Sequence, residues 1–161
     1  MLVERSRWSV NIVRDGRRGG QPEFGNRRSF GTERRYSQTG IKLAVLEPGQ
    51  PDCRYHRENA QEDSLALFGE CLLIADDETR KLKAWDLVHC PHGVSHVFVG
   101  AGDPRCAILM IGHRPPEHQL YYLEGVIARR YSTESREPTN DPRVVYADVS
   151  PRQDEESPDW P

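Results

Sequence analysis

Between Gly40 and His113 the chain meets a turn signal about every eight to twelve residues, and no amphipathic segment of helical length lies between them. "IKLAVLEPG" (41–49) alternates and then stops at Pro48-Gly49, and "SLALFGE" (64–70) closes on Gly69. "CLLIADDETRKLKAW" (71–85) reads as a hairpin: an apolar strand, an acidic turn at Asp76-Asp77-Glu78, and a polar outward-looking strand. "DLVHCP", "SHVFVG" and "RCAILMIGH" follow, broken by Pro91, Gly93 and the turn "GAGDP". Six or seven short strands in about 75 residues predict an all-β sandwich or barrel and exclude parallel βαβ units. Leu43, Val45, Leu65, Leu67, Val97, Ile108 and Met110 are the expected core.

The flanks differ in character. Residues 1–37 are Arg/Gly-rich and read as an N-terminal arm, with a short strand at "WSVNIV" (8–13) and a turn-rich loop over 16–31. The barrel is expected over 38–114, followed by an extension over 115–148. Its two short helices, at 117–131 and 141–148, would pack on the outside, the second with Asp141 as N-cap and Pro142 in the first turn. Residues 149–161 read as a disordered acidic tail. A hydrophobic content of 36% with 12 prolines and 13 glycines fits a compact centre with poorly packed ends.

The arm carries nine arginines against four acids over residues 1–36, whereas 132–161 carries eight acids against three arginines. The two balance each other or a neighbouring subunit. With a net charge of −3, no nucleic-acid or membrane partner is expected. The N-terminus lacks the apolar run of a signal peptide, which points to the cytoplasm. Cys53, Cys71, Cys90 and Cys106 form no CxxC pair and are expected as reduced, inert thiols.

"CRYHRENAQE" (53–62) places His56, Glu58 and Glu62 in a short stretch. Residues two apart on a strand share a face, so His56 and Glu58 point the same way, and a turn through Asn59-Ala60-Gln61 returns Glu62 to the same interior. In "HCPHGVSH", Pro91 and Gly93 forbid a helix, and His96 opens a strand with Phe98 on its own face. If the strands of His56 and His96 are neighbours, two histidines and two glutamates converge as a four-ligand set with one or two open positions.

These residues resemble the two motifs of the cupin family. The first, G-x5-6-HxH-x3-4-E-x6-G, is matched by Gly49, His56, Glu58, Glu62 and Gly69, with Glu58 at the second histidine. The second, G-x5-PxG-x2-H, is matched by Pro91, Gly93 and His96, with Trp85 in place of the opening glycine, where it could seal the barrel end. The resemblance covers residues 40–113 and implies a double-stranded β-helix, a jelly-roll barrel that commonly dimerises. It also implies a divalent transition metal (Mn, Fe or Zn) on His56, Glu58, Glu62 and His96. Glu58 corresponds by position only; turned to solvent, it would leave a weak or vacant site.

The function this implies is a small-molecule metalloenzyme of dioxygenase, isomerase or decarboxylase type, or else a non-catalytic binding or sensing protein. Acid–base groups have only His92 and Tyr55 as nominees at the barrel mouth, with Arg54 and Arg57 as candidates for an anionic substrate. His92 reads first as an exposed turn histidine, and His89 and His113 are set aside by parity or position. A homodimer is expected, with the arm crossing to the partner barrel as one arrangement.

Overall fold

Strand alternation decides which side chains meet between two facing sheets and which remain outside. The structure is a computed structural model that describes residues 17–20, 23–30 and 38–150. The expected strand at 8–13 and the tail beyond residue 150 lie outside the described residues. One antiparallel sheet has six strands in the order β1 (Arg17–Gly20), β2 (Asn26–Phe30), β3 (Thr39–Leu46), β10 (Cys106–His113), β5 (Glu62–Phe68) and β8 (Leu87–Cys90). The other has five, in the order β11 (Leu120–Tyr122), β4 (His56–Glu58), β9 (His96–Ala101), β6 (Glu70–Ala75) and β7 (Glu78–Lys83).

The β6–β7 hairpin forms as its sequence predicts. Asp76 and Asp77 both take positive φ, 44° and 64°, the conformation a tight two-residue hairpin turn requires. Asp76 Oδ1 also accepts the Ser95 N–H at 3.0 Å, which ties the turn to the start of β9. β6 is buried over Cys71–Ile74, while β7 is a charged edge strand that discourages pairing with another chain.

The core between the sheets contains Ala44, Leu46, Ala66, Leu73, Phe98, Ile108 and Met110. A second cluster lies outside the five-stranded sheet. There Ile74, Val97 and Val99 meet Tyr55 and Ala128 of helix α1 (Val126–Arg130). Leu65 and Leu67, expected in the core, are only half-buried. On β5 the inward parity belongs to Glu62, Ser64 and Ala66, and small side chains there leave the barrel partly hollow.

Two local readings are corrected. The turn-rich stretch 16–31 forms β1 and β2, which pair antiparallel and add to β3 of the same chain. The helix expected over 117–131 is confined to Val126–Arg130, because Leu120–Tyr122 instead pairs with β4. An available ladder and two adjacent tyrosines outweigh the helical pattern. The second helix forms as α2 (Pro142–Val145), with the Asp141 side chain accepting from Arg143 N. Pro142, Arg143 and Val144 are exposed and only Val145 is buried, while Pro142, Arg143 and the following Tyr146 also line the cavity described next.

Candidate metal centre

His56 on β4 lies directly opposite His96 on β9 in the antiparallel ladder, with ring centroids 5.0 Å apart. Glu62 approaches from β5 in the opposite sheet, after the short turn 59–61 carries the chain across the barrel end. The group therefore draws on three strands and both sheets, not on two strands alone. His56, Glu62 and His96 each offer an atom within 4.8 Å of the others.

The imidazole orientations are set by the backbone. His56 Nδ1 is 2.8 Å from Arg54 O, and His96 Nδ1 is 3.1 Å from Val94 O. A carbonyl oxygen can only accept, so each Nδ1 carries its hydrogen and each Nε2 faces the centre. Glu62 Oε2 stands 2.8 Å from His96 Nε2 and 3.9 Å from His56 Nε2. Neutral imidazoles would aim lone pairs at these carboxylate oxygens, which only protons or a cation relieves.

Glu58 turns inward, its side chain 11% exposed and its Oε1 3.5 Å from His56 Nε2. Its other oxygen, Oε2, is 2.8 Å from His118 Nε2. Burial resists ionisation of Glu58, but His56 and His118 outweigh it and bring its pKa to about 2. Burial likewise opposes charge on His96, yet the adjoining Cys90 and Glu62 push its pKa up to about 10. His56 is raised well above the ordinary value despite its burial, through Cys53, Glu58 and Glu62.

His118 escaped the sequence reading because it lies far along the chain, in a stretch assigned to a helix. Only the pairing of β11 with β4 brings it to Glu58. Tyr122, opposite His56 in that pairing, also reaches the centre, with its ring 6.2 Å from that of His56.

The cluster opens into a cavity of ≈ 500 Å³ floored by Phe98 and Met110 and bordered by Tyr122 and Tyr146. Tyr55 is buried in the outer cluster and His92 is exposed beside Arg57 and Tyr121, so neither nominee lines it. Arg54 instead pins the C-terminal extension, donating to Ser132 O at 2.8 Å and Asp148 Oδ1 at 3.0 Å. Arg57 stacks on Tyr121, 5.4 Å from its centroid. Trp85 is 76% exposed with φ 77° and seals nothing. All four cysteines are free and buried, Cys53 lying 3.5 Å from His56 Nδ1.

The donor set fits a divalent transition metal: two Nε2 atoms of fixed tautomer and the Glu62 carboxylate, with the ionised Glu58 alongside. His56, Glu62, His96 and Glu58 are the residues that would hold it.

No family model matches the sequence, and no curated protein matches it. Solved structures do resemble it. A cupin-superfamily sugar phosphate isomerase of Silicibacter pomeroyi is 25% identical, with a TM-score of 0.58 over 71% of this chain and 81% of its own. A candidate sugar phosphate isomerase of Acidithiobacillus ferrooxidans is 23% identical, with a TM-score of 0.52 over 60% of this chain. That match spans 64% of the Acidithiobacillus chain, less than two thirds of its length. The polyketide cyclase RemF of Streptomyces resistomycificus is 18% identical, with a TM-score of 0.57 over 68% of this chain and 82% of its own.

Proposed function

We propose, from the premise that this chain is a cupin double-stranded β-helix, that it is a metal-dependent enzyme acting on a small molecule. The observation that carries this reading is the convergence of two Nδ1-protonated imidazoles and Glu62 at a cavity of ≈ 500 Å³. A divalent ion held there supplies Lewis-acid polarisation of an oxygen-bearing substrate. The backbone carbonyls of Arg54 and Val94 keep both Nε2 atoms turned inward. Phe98, Met110, Tyr122 and Tyr146 line the same cavity and would shield a bound ligand from bulk water. The cupin relatives of similar fold include proteins named for sugar phosphate isomerisation, and isomerase chemistry is one of the classes this arrangement accommodates, with dioxygenase and decarboxylase types.

We propose further that the protein is a cytoplasmic homodimer. Support for the dimer is the outer face of the six-stranded sheet, where half-buried Leu109 and Leu65 and exposed Leu87 continue in one row from the buried Leu43 across β3, β10, β5 and β8. Leu87 is 70% exposed at the end of that row.

Metal analysis of protein purified without a nickel column tests the centre. A stoichiometric transition metal that disappears in Glu62→Ala and in His96→Ala is the expected result. Metal-free protein that keeps its full thermal stability in chelator overturns it. A metal-bearing protein that turns over no substrate across the three reaction types would be the binding or sensing form of the fold.

A further inference from the structure

The inward row one pleat deeper than Glu62 is not the apolar row a barrel interior calls for. Lys42 on β3 pairs in register with Met110 on β10, which pairs in turn with Ser64 on β5. All three line the cavity of the metal centre. Residues two apart on a strand are about 7 Å apart, so this row lies about that far below Glu62.

Lys42 Nζ is 3.1 Å from Asp52 Oδ2, and Asp52, which also lines the cavity, is 2% exposed. The carboxylate is held from behind, because its Oδ1 accepts the Phe98 N–H at 3.0 Å. An ammonium has three N–H donors, and Asp52 is the only partner of Lys42 among the described residues. Ser64 is 5% exposed, and its hydroxyl has no partner among the described residues. Asp52 is buried while 30% of the Lys42 side chain is exposed, and such a pair adds little to stability compared with apolar side chains of the same volume, so packing does not account for Lys42.

Among the described residues, each lysine or arginine lining the cavity has a carboxylate partner. Lys42 is matched by Asp52, and Arg143 at the rim by Asp141, 2.8 Å away. A divalent ion at the centre would be matched by Glu58 and Glu62. Among the described residues no buried positive charge is left over for a phosphate or carboxylate, Arg143 being 89% exposed, and an extra anion in this half-enclosed space would be poorly compensated. The deeper row is instead rich in both donors and acceptors. An ammonium and a carboxylate side by side, with a free hydroxyl across Met110, can each bond a ligand hydroxyl, which donates and accepts at once.

We propose that Lys42, Asp52 and Ser64 form a hydroxyl-recognition subsite, and that the ligand is a small neutral polyhydroxy or hydroxycarbonyl compound. One end sits at the metal centre and the hydroxyl-bearing remainder descends onto this row. The inference rests on the metal-centre reading for the ligand's orientation, while the preference for a neutral ligand is a separate observable.

The test uses the full chain as purified, with its metal content measured on the same sample. Erythritol and dihydroxyacetone are the neutral probes, with erythronate and glycerol 3-phosphate as charged counterparts, each titrated by NMR or calorimetry. Neutral probes are expected to bind more tightly than the charged ones. Lys42→Met and Ser64→Ala should each weaken the neutral probes about tenfold, with metal content and melting temperature retained. Two substitutions keep the test sound if one of them unfolds the barrel. Tighter binding of erythronate or glycerol 3-phosphate overturns the inference, as does unchanged erythritol affinity in Lys42→Met or no saturable binding of either neutral probe. In those cases a stoichiometric metal leaves the centre standing. Metal-free protein that binds erythritol through Lys42 supports the subsite and removes the metal centre.

Discussion

Glu58 faces two histidines, one deep in the barrel and one at its rim. Its engagement with His118 makes it a less available ligand than Glu62. Glu62→Ala should therefore cost more metal affinity than Glu58→Ala, read by competitive chelator titration. The two central imidazoles set the pH dependence. The folded pKa of His96 is about 10, so metal-free protein holds this proton at pH 7 and binding must expel it. Metal affinity should rise with pH, and calorimetry in buffers of different ionisation enthalpy should show net proton release. A raised folded pKa contributes stability that is complete below the unfolded value of about 6.5. That contribution is then lost progressively up to about pH 10. Urea titrations of metal-free protein at several pH values would reveal that slope. Trp85, exposed with positive φ, carries backbone strain without packing in return; Trp85→Gly should stabilise by about 0.5–1 kcal/mol in urea denaturation.

At the scale of elements, turns were the most readable part of this chain and ladders the least. Gly69 closes β5 where the pattern places a stop, with φ 67°, and a Cβ there would meet Arg105 O at 2.5 Å. Gly69→Ala should cost about 2 kcal/mol or more, seen as a lower urea midpoint at unchanged slope. The hairpin at Asp76-Asp77 and the Asp141 cap were likewise visible, because each is a local device written in adjacent residues. β11 and the β1–β2 pair were not, since a strand on the edge of a sheet owes its existence to a neighbour distant in sequence. The same limit explains the site. His56, Glu58, Glu62 and His96 fall within recognisable spacings, whereas His118 and Lys42 stand in stretches with no motif and Asp52 occupies an unspecified position between Gly49 and His56. Parity errors had their own cause: Leu65 and Leu67 look like core until β5 is known to turn Ser64 and Ala66 inward.

Across the whole molecule, the two outer faces are treated differently. The five-stranded sheet is covered by Tyr55 and by Ala128 of α1, whereas on the six-stranded sheet the leucine row runs from buried Leu43 through half-buried Leu109 and Leu65 to exposed Leu87. If the proposed dimer forms through this row, Leu87→Lys should leave the melting temperature nearly unchanged while shifting light-scattering mass from dimer to monomer; a dimer mass that does not shift, or a monomer mass before substitution, overturns it. The C-terminal extension has a further consequence. It supplies His118, Tyr122, Arg143 and Tyr146 around the opening, and Arg54 anchors it from beyond the cavity through Ser132 and Asp148. The groups nearest the proposed ion come from the barrel strands, and those that frame its entrance come from a separate length of chain. Descendants of such a protein can change which molecules are admitted by drift in the tail alone, while the inherited reactive core stays intact.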